Sequence, residues 1–291
     1  MAHRQPHLAL ELGATAGPEH VAAAEAAGFA LVTIDDTPGA AQPEAGVRAA
    51  YLARRTRRIA LAPTLHATVT EPFHLATQLA SLDHASLGRG AWVVGAAAGP
   101  AAYATVGLPL LDGAALRREI ADVIDVARRL WDSWEDDAII RDVPSGRFLD
   151  ADRVHHVNFT GERFSVVGPL ITPRPPQGQL VVLGADTLGV TDRLDIALIP
   201  FDTVDALSAR AGQARTDGAP LVFADLDLAV AGDDPAGLID RLGRVVDGVR
   251  LHLGDIDADL PRIAATLSRP PVTGPTLRDT LGLPRPVNQF A

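Results

Sequence analysis

Residues 7–36 read HLALELGATAGPEHVAAAEAAGFALVTIDD. His7–Leu12 is an apolar run of strand length, and Pro18–Ala27 is an alanine-rich stretch with proline in its first turn, the start signal of a helix. Gly28 stops that helix, and Ala30–Ile34, rich in branched residues, is a second strand closing on Asp35-Asp36. Two strands joined by one helix lie parallel, because the crossover returns the chain to the end from which it started.

The unit then repeats. Glu44–Arg54 reads as a helix and Ile59–Pro63 as a strand; Glu71–Leu82 and Ala91–Val94 form the next pair. Gly113–Trp134 is the longest helix, with Ile120, Val123, Ile124, Ala127 and Leu130 along one face. Further strands are expected at Leu180–Leu183, Asp195–Ile199, Leu221–Ala224 and Gly248–Leu251, with helices at Val204–Ala214, Pro235–Val246 and Ala258–Leu267. This alternation predicts an α/β fold, a closed (β/α)8 TIM barrel, with an open doubly wound sheet as the alternative. No composition shift marks a boundary, so residues 1–291 read as a single domain.

One stretch breaks the rhythm. Leu130–Gln177 is far longer than the roughly 4–6 residues of an ordinary connection, and Trp131, Trp134, Phe148, Phe159 and Phe164 supply apolar anchors. It predicts an insertion over about residues 135–178, after the fourth strand–helix unit. Long ordered loops commonly build sites, so it is expected to lie beside the barrel mouth as part of a substrate wall.

Composition narrows the chemistry. The net charge is −10 and no run of basic residues could track a phosphate backbone, which argues against nucleic acid as a partner. No apolar run is long enough to span a bilayer, and residues 1–13 lack the apolar core of a signal peptide, so no membrane association and a cytoplasmic location are expected. With no cysteine, thiolate nucleophiles and thiolate-held metals are excluded. All 26 basic residues are arginine, which excludes Schiff-base lysines. His155-His156 near Asp150 and Asp152 suggest a metal site only weakly, since adjacent histidines on extended chain point to opposite faces; no metal is expected. What remains is histidine, carboxylates, hydroxyls or a bound cofactor.

Several blocks resemble one family. They are Glu71-Pro72-Phe73-His74, Ser81-Leu82-Asp83-His84 with Gly88-Arg89, the run from Leu130 to Ala138, Phe164–Pro169, Pro173–Gly178, Thr276-Leu277-Arg278 and Leu283–Pro286. Together they are similar to the bacterial luciferase-like flavin-dependent monooxygenases, in the branch of the nitrilotriacetate and dibenzothiophene-sulfone enzymes. The resemblance implies a dimeric TIM barrel that takes reduced flavin mononucleotide (FMN) from a separate flavin reductase. It further implies use of O2 to insert one oxygen atom into a small organic substrate.

The resemblance also places cofactor contacts. Thr64 and Thr68 match hydroxyl positions after the third strand, unless both merely satisfy loop backbone. His66 between them is the candidate catalytic proton donor, or a structural loop histidine. Trp92 is retained on the fourth strand and is expected to line the flavin, but Val93 stands where the family has asparagine. Gly95–Pro100 can cradle a phosphate or simply pack tightly. Arg117 replaces a tyrosine at the opening of the long helix, as a phosphate partner or a solvated arginine. Gly184-Ala185-Asp186-Thr187 replaces a Gly-Ala-Ser turn expected to face the phosphate. Asp186 there would repel a phosphate, and only Gly184–Leu194 separates the fifth and sixth strands, leaving room for two turns.

Asp225 and Asp227 can meet a polar ligand at the mouth or serve the loop. Asp35, Asp36, His66 and Arg174 are the other charges expected there, few enough to suggest an apolar or weakly polar substrate. Two further readings follow from the departures: a non-enzymatic homologue that has lost flavin and serves as a binding or partner subunit, and a barrel using a deazaflavin coenzyme.

Overall fold

A computed structural model describes residues 5–37, 41–97, 99–232, 234–267 and 269–291; Ala98, within the Gly95–Pro100 stretch, lies outside them. Eight parallel strands close into a barrel: β1 (His7–Leu12), β2 (Leu31–Ile34), β3 (Ala60–His66), β4 (Ala91–Gly95), β5 (Val181–Ala185), β6 (Ile196–Pro200), β7 (Leu221–Asp227) and β8 (Gly248–His252). Each strand pairs with its neighbours in sequence, and β8 closes on β1 with Ala9 opposite Arg250. The closed barrel displaces the open-sheet alternative.

Helices α1 (Pro18–Ala26), α2 (Ala45–Ala53) and α3 (Pro72–Ser86) follow the first three strands. A short α4 (Pro100–Val106), not foreseen from the sequence, precedes α5 (Gly113–Asp132). Then come α6 (Val204–Thr216), α7 (Pro235–Leu242), α8 (Ile256–Leu267) and the small α9 (Leu277–Leu281). Between β5 and β6 there are only two 3-10 turns, Asp186–Leu188 and Thr191–Arg193, as the spacing required. None of the helices among the described residues is long and apolar enough to cross a membrane.

The strands are buried on both faces, which is why they read as nearly continuous apolar runs. Ala9, Leu31, Ala62, Val93, Leu183, Leu198 and Phe223 fill the interior. Gly248 makes room for the Phe223 ring: a Cβ there would stand 2.5 Å from it. Outside, Trp92, Leu65, Leu79, Ile124 and Trp131 pack between barrel, α3 and α5.

The insertion is where the structure corrects the sequence reading. It joins the end of α5 to the start of β5, and every helix-to-strand connection of such a barrel lies at the N-terminal face, opposite the mouth. Its two ends are fastened there, while its middle runs along the outside of α5 toward that helix's first turns, where Glu162 pairs with Arg118 and Arg163 lies 3.6 Å from Glu119. The Trp131 Nε1–H donates to Ala76 O at 3.0 Å and the Trp134 Nε1–H to Leu170 O at 2.8 Å. The Gln177 amide donates to Asp83 Oδ1 (2.6 Å) and Gly90 O (2.8 Å), fastening the end of α3 to the start of β4. Arg174, expected at the mouth, is instead buried at this face between Asp132 (2.9 Å) and Asp136 (3.0 Å), and also donates to Pro286 O. Phe159 and Phe164 stack at 5.7 Å and pack with α5, while the Glu162 N–H donates to Asp122 Oδ2. Residues 133–178 line neither cavity at the mouth.

Burying a charge while removing its partner is costly, roughly 3–5 kcal/mol. Asp132 is fully buried and Arg174 is its cationic partner. Arg174→Met should therefore lower the urea midpoint by a shift of that order at constant m-value, and leave ligand affinity at the mouth unchanged. A loss of ligand affinity in a variant of normal stability would restore the insertion to the substrate wall.

Candidate active site at the barrel mouth

Side chains alternate along a strand between the interior and the helix layer. The last inward positions of the eight strands therefore form the floor of the mouth, at the C-terminal end where sites of this fold sit. That floor is divided into two halves.

The half built by β1, β2, β7 and β8 is charged. Arg250 lies across from Asp225 in the strand register and grips it with two bonds, Nε to Oδ1 at 2.8 Å and Nη2 to Oδ2 at 2.6 Å. Arg250 Nη1 reaches Glu11 Oε2 at 3.1 Å, and the Thr33 hydroxyl donates to the same oxygen. His252 Nε2 bonds Asp225 Oδ1. Burial pushes the Asp225 carboxyl up, but the hydrogen bonds from His252 and Arg250 outweigh it and hold the pKa at about 2. The bond to Asp225 in turn raises that of His252. A cavity of about 540 Å³ opens over this half, lined by Glu11, Asp35, Arg250 and His252, with Thr64 and Val93 across from them.

The half built by β3 to β6 is neutral. Thr64 and Val93 are register partners and sit side by side on the cavity wall. Ala185 and Leu198 are partners on β5 and β6. Beyond Thr64, His66 lines a second cavity of about 380 Å³ with Asp36, Ala96, Ala97, Ala101 and Ala102. Its Nε2 lies 3.1 Å from Asp36 O, and its Nδ1 is buried without a partner. Gly95 accommodates the ring, since a Cβ there would stand 2.6 Å from Nδ1. Burial raises the Asp36 carboxyl, and the nearby imidazole only partly offsets it.

Of the residues singled out from the sequence, Thr64 and Val93 come together on the wall of the first cavity and His66 lines the second, while Ala185 ends β5 beside Leu198 and lines neither. Trp92 also lines neither. It is the outward neighbour of Val93, fully buried against the helices, with Nε1–H donated to Leu65 O at 3.0 Å. Period-two alternation turns it away from the mouth. Thr68 is spent on the loop, accepting from Ala97 N at 3.1 Å. Gly184 also faces outward, toward Leu188 and Leu194.

Asp186 begins the turn after β5, and the carboxylate expected to repel a phosphate is clamped by Arg210 of α6, Nε at 3.0 Å and Nη2 at 2.7 Å. Thr187 beside it is exposed. Arg117 packs its stem against Gly189 of the same connection, and its guanidinium has no protein partner among the described residues. Away from the mouth, His155 pairs with Glu135 at 2.8 Å and stacks on Phe290, and His156 bonds Gly168 O.

Glu11, Thr33, Arg210, Arg250 and His252 escaped the sequence reading. The signal was present in Gly248–His252, where Arg250 and His252 occupy alternate positions of a strand that should be apolar on both faces.

The description luciferase-like monooxygenase belongs to a family model that matches residues 2–194. N-acetyl-S-(2-succino)cysteine monooxygenase of Bacillus subtilis (strain 168) is 42% identical over 139 residues, 47% of this chain and 32% of that protein. Nitrilotriacetate monooxygenase component A of Aminobacter aminovorans is 39% identical over 140 residues, 47% of this chain and 30% of that one. The aligned part thus spans about a third of the length of these two relatives. One of the subunits of pristinamycin IIA synthase from Streptomyces pristinaespiralis is similar along almost its whole length, 33% identical over 276 residues, 93% of this chain and 90% of that one. A crystal structure of a long-chain alkane monooxygenase shares the fold with a TM-score of 0.81 at 18% identity, over 96% of each chain. The chain belongs to the luciferase-like monooxygenase family.

The charged half makes a pH signature. A carboxyl held at about 2, against an unfolded value of about 3.9, stabilises the fold fully above pH ~4 and loses that contribution as pH falls through about 2. The size is roughly 2–3 kcal/mol. His252 has the opposite sign: its contribution is complete below the ordinary histidine range and is lost as pH rises through its raised value. Urea midpoints measured across this range should show both limbs, and Asp225→Asn should flatten both while lowering the plateau. An unchanged acid limb in that variant would show that Asp225 is not the group responsible.

Proposed function

We propose that the protein binds reduced FMN at the barrel mouth and oxygenates a small polar organic molecule with O2, the flavin being supplied by a separate reductase and the chain acting in the cytoplasm as a homodimer. The division of the mouth supports this reading most directly. A neutral wall of Thr64, Val93 and Ala185 suits a flat ring, and it leads toward the turn after β5. There Arg210 cancels the charge of Asp186 while Arg117 remains free, so the end expected to meet a phosphate carries net positive charge. The residues fit the cofactor with a changed set of contacts.

Thr64 would hydrogen-bond the ring edge in place of the missing asparagine, with Val93 as apolar support. Arg117, Thr187 and backbone N–H groups of the 184–189 turn would hold the phosphate. Bound there, reduced flavin supplies the electrons that activate O2. The chain supplies orientation, exclusion of water and proton handling. His66 stands beside the alanine-lined cavity with Nε2 engaged by Asp36 O and Nδ1 buried against Gly95, so its ring would help to shape that wall, and the proton-donor role expected from the sequence has no free ring nitrogen to carry it. The charges of Glu11, Asp35, Asp225, Arg250 and His252 favour a polar substrate over the apolar or weakly polar one expected from the sequence.

A second reading is favoured by the whole-length likeness to a synthase subunit and by Val93, Arg117 and Asp186: a partner subunit that has lost flavin. Titration with FMN, oxidised and photoreduced, separates the two. The first expects flavin fluorescence quenching and binding heat at micromolar concentrations. It also expects Arg117→Ala to weaken FMN by tenfold or more, the loss of one charge-assisted bond of about 1.5–3 kcal/mol, while leaving riboflavin unchanged. Absence of any signal at high micromolar FMN, with co-purification of an intact homologue, would establish the second.

A further inference from the structure

The most highly organised side chains at the mouth are those that the flavin reading leaves without a task. Thr33, Glu11, Arg250, Asp225 and His252 form one chain of hydrogen bonds across four strands, ending on an imidazole. Asp225 is fixed by two guanidinium nitrogens, so it in turn fixes the ring. With Nε2 bonded to a carboxylate, neutral His252 carries its proton on Nε2 and its lone pair on Nδ1. Nδ1 has no protein partner among the described residues, and the ring lines the 540 Å³ cavity.

The charged groups around His252 are Asp225 and its register partner Asp227 on β7, Arg250 on its own strand β8, Glu11 on β1 and Asp35 after β2; Asp227 is exposed and accepts from Ala229 N at 2.9 Å, capping the turn that follows. All three polar nitrogens of Arg250 are engaged, by Asp225 and Glu11. Among the described residues lining this cavity, His252 is therefore the side chain able to gain a proton near neutral pH. His66 cannot take the role here: it lines the other cavity, and its free nitrogen is buried against Gly95.

We propose that His252, held by Asp225, is a proton-accepting catalytic residue of the mouth, acting on a substrate that carries a weakly acidic O–H or N–H. The O–H or N–H bond breaks and its electron pair stays on the substrate. The proton forms the Nδ1–H bond, and the resulting imidazolium charge is held opposite Asp225. The proton later leaves to solvent through the open mouth. This rests on oxygenation taking place at the mouth, where an anionic substrate is the more electron-rich partner for an oxygenating species.

The test uses the intact protein labelled with 15N-histidine, with 4-nitrophenol, whose anion is yellow, as the probe acid. Ring-nitrogen spectra should show His252 as the Nε2–H tautomer, titrating above free histidine, and Asp225→Asn should return it toward the free value. Below the probe's own ionisation midpoint, wild type should raise the anion-to-acid ratio of bound 4-nitrophenol roughly tenfold, equivalent to about one pKa unit. His252→Gln, whose amide can still donate to Asp225, should retain the dialysis-measured binding and lose the colour change. An Nδ1–H tautomer, or anion formation that does not depend on His252, overturns the proposal; so does failure of the probe to bind. FMN affinity is measured on the same samples. If wild type binds no FMN but the histidine result holds, the flavin reading fails while the base stands.

Discussion

Strand direction governs every placement in this molecule. In a closed parallel barrel all strand-to-helix connections emerge at one end and all helix-to-strand connections at the other. The first set carries the charged floor, the two cavities and the turn after β5. The second carries Asp83 with Gln177, Asp132 with Arg174, and Asp195 with Arg278, buried polar pairs that fasten the ends of helices and strands to the insertion and the C-terminal segment. Arg278 alone donates to Gln179 O at 2.7 Å, Leu180 O at 3.2 Å and Asp195 Oδ1 at 3.2 Å. The two ends have different chemistry because the polarity of the strands gives them different work.

This explains why the most recognisable sequence was the least informative about the site. The blocks around Ser81–Arg89, Trp131–Ala138, Pro173–Gly178 and Thr276–Arg278 all belong to the fastening end. They identify lineage because a buried carboxylate accepting from Gln177 N, Gln177 Nε2 and Gly90 N tolerates few substitutes. Such a network constrains sequence tightly whatever happens at the mouth. The fold was legible because each strand–helix unit is encoded locally, by apolar runs, proline starts and glycine stops. The position of the insertion was also legible in principle, since its place between a helix and the next strand assigns its end of the barrel. The aromatic anchors suggested a substrate wall, but they serve the outer shell against α3 and α5 instead.

The site was legible only in part, because its decisive contacts are non-local. Thr33 meets Glu11 across 22 residues, and Arg250 meets Glu11 across 239. No spacing rule connects such pairs; closure of the barrel does, by bringing β8 beside β1. Trp92 shows the converse error, in which sequence identity at a position outweighed the alternation that points its neighbour Val93 inward. Asp186 shows a third kind. Read alone, its carboxylate opposes an anion, but Arg210 of the next helix cancels that charge. A charge is informative only with its partner, and the partner lies on another element.

The separation of the mouth into halves follows from the same electrostatics. Four ionisable groups packed on β1, β7 and β8 would be costly to bury singly, and they are tolerated because Arg250 sits between Glu11 and Asp225, with His252 on the far side of Asp225. Interposing one such carboxylate on β4 or β5 would deprive it of Arg250 and bring it toward the turn where Arg117 is free. The neutral face of Thr64, Val93 and Ala185 is therefore the complement of the charged one: it keeps unpaired negative charge away from the end best suited to an anion. A polar substrate over β7 and β8 and a flat, phosphate-bearing group over β3 to β5 would thus occupy one mouth without competing for the same charges. Val93, paired with Thr64 on the cavity wall, contributes an apolar side chain to that neutral face.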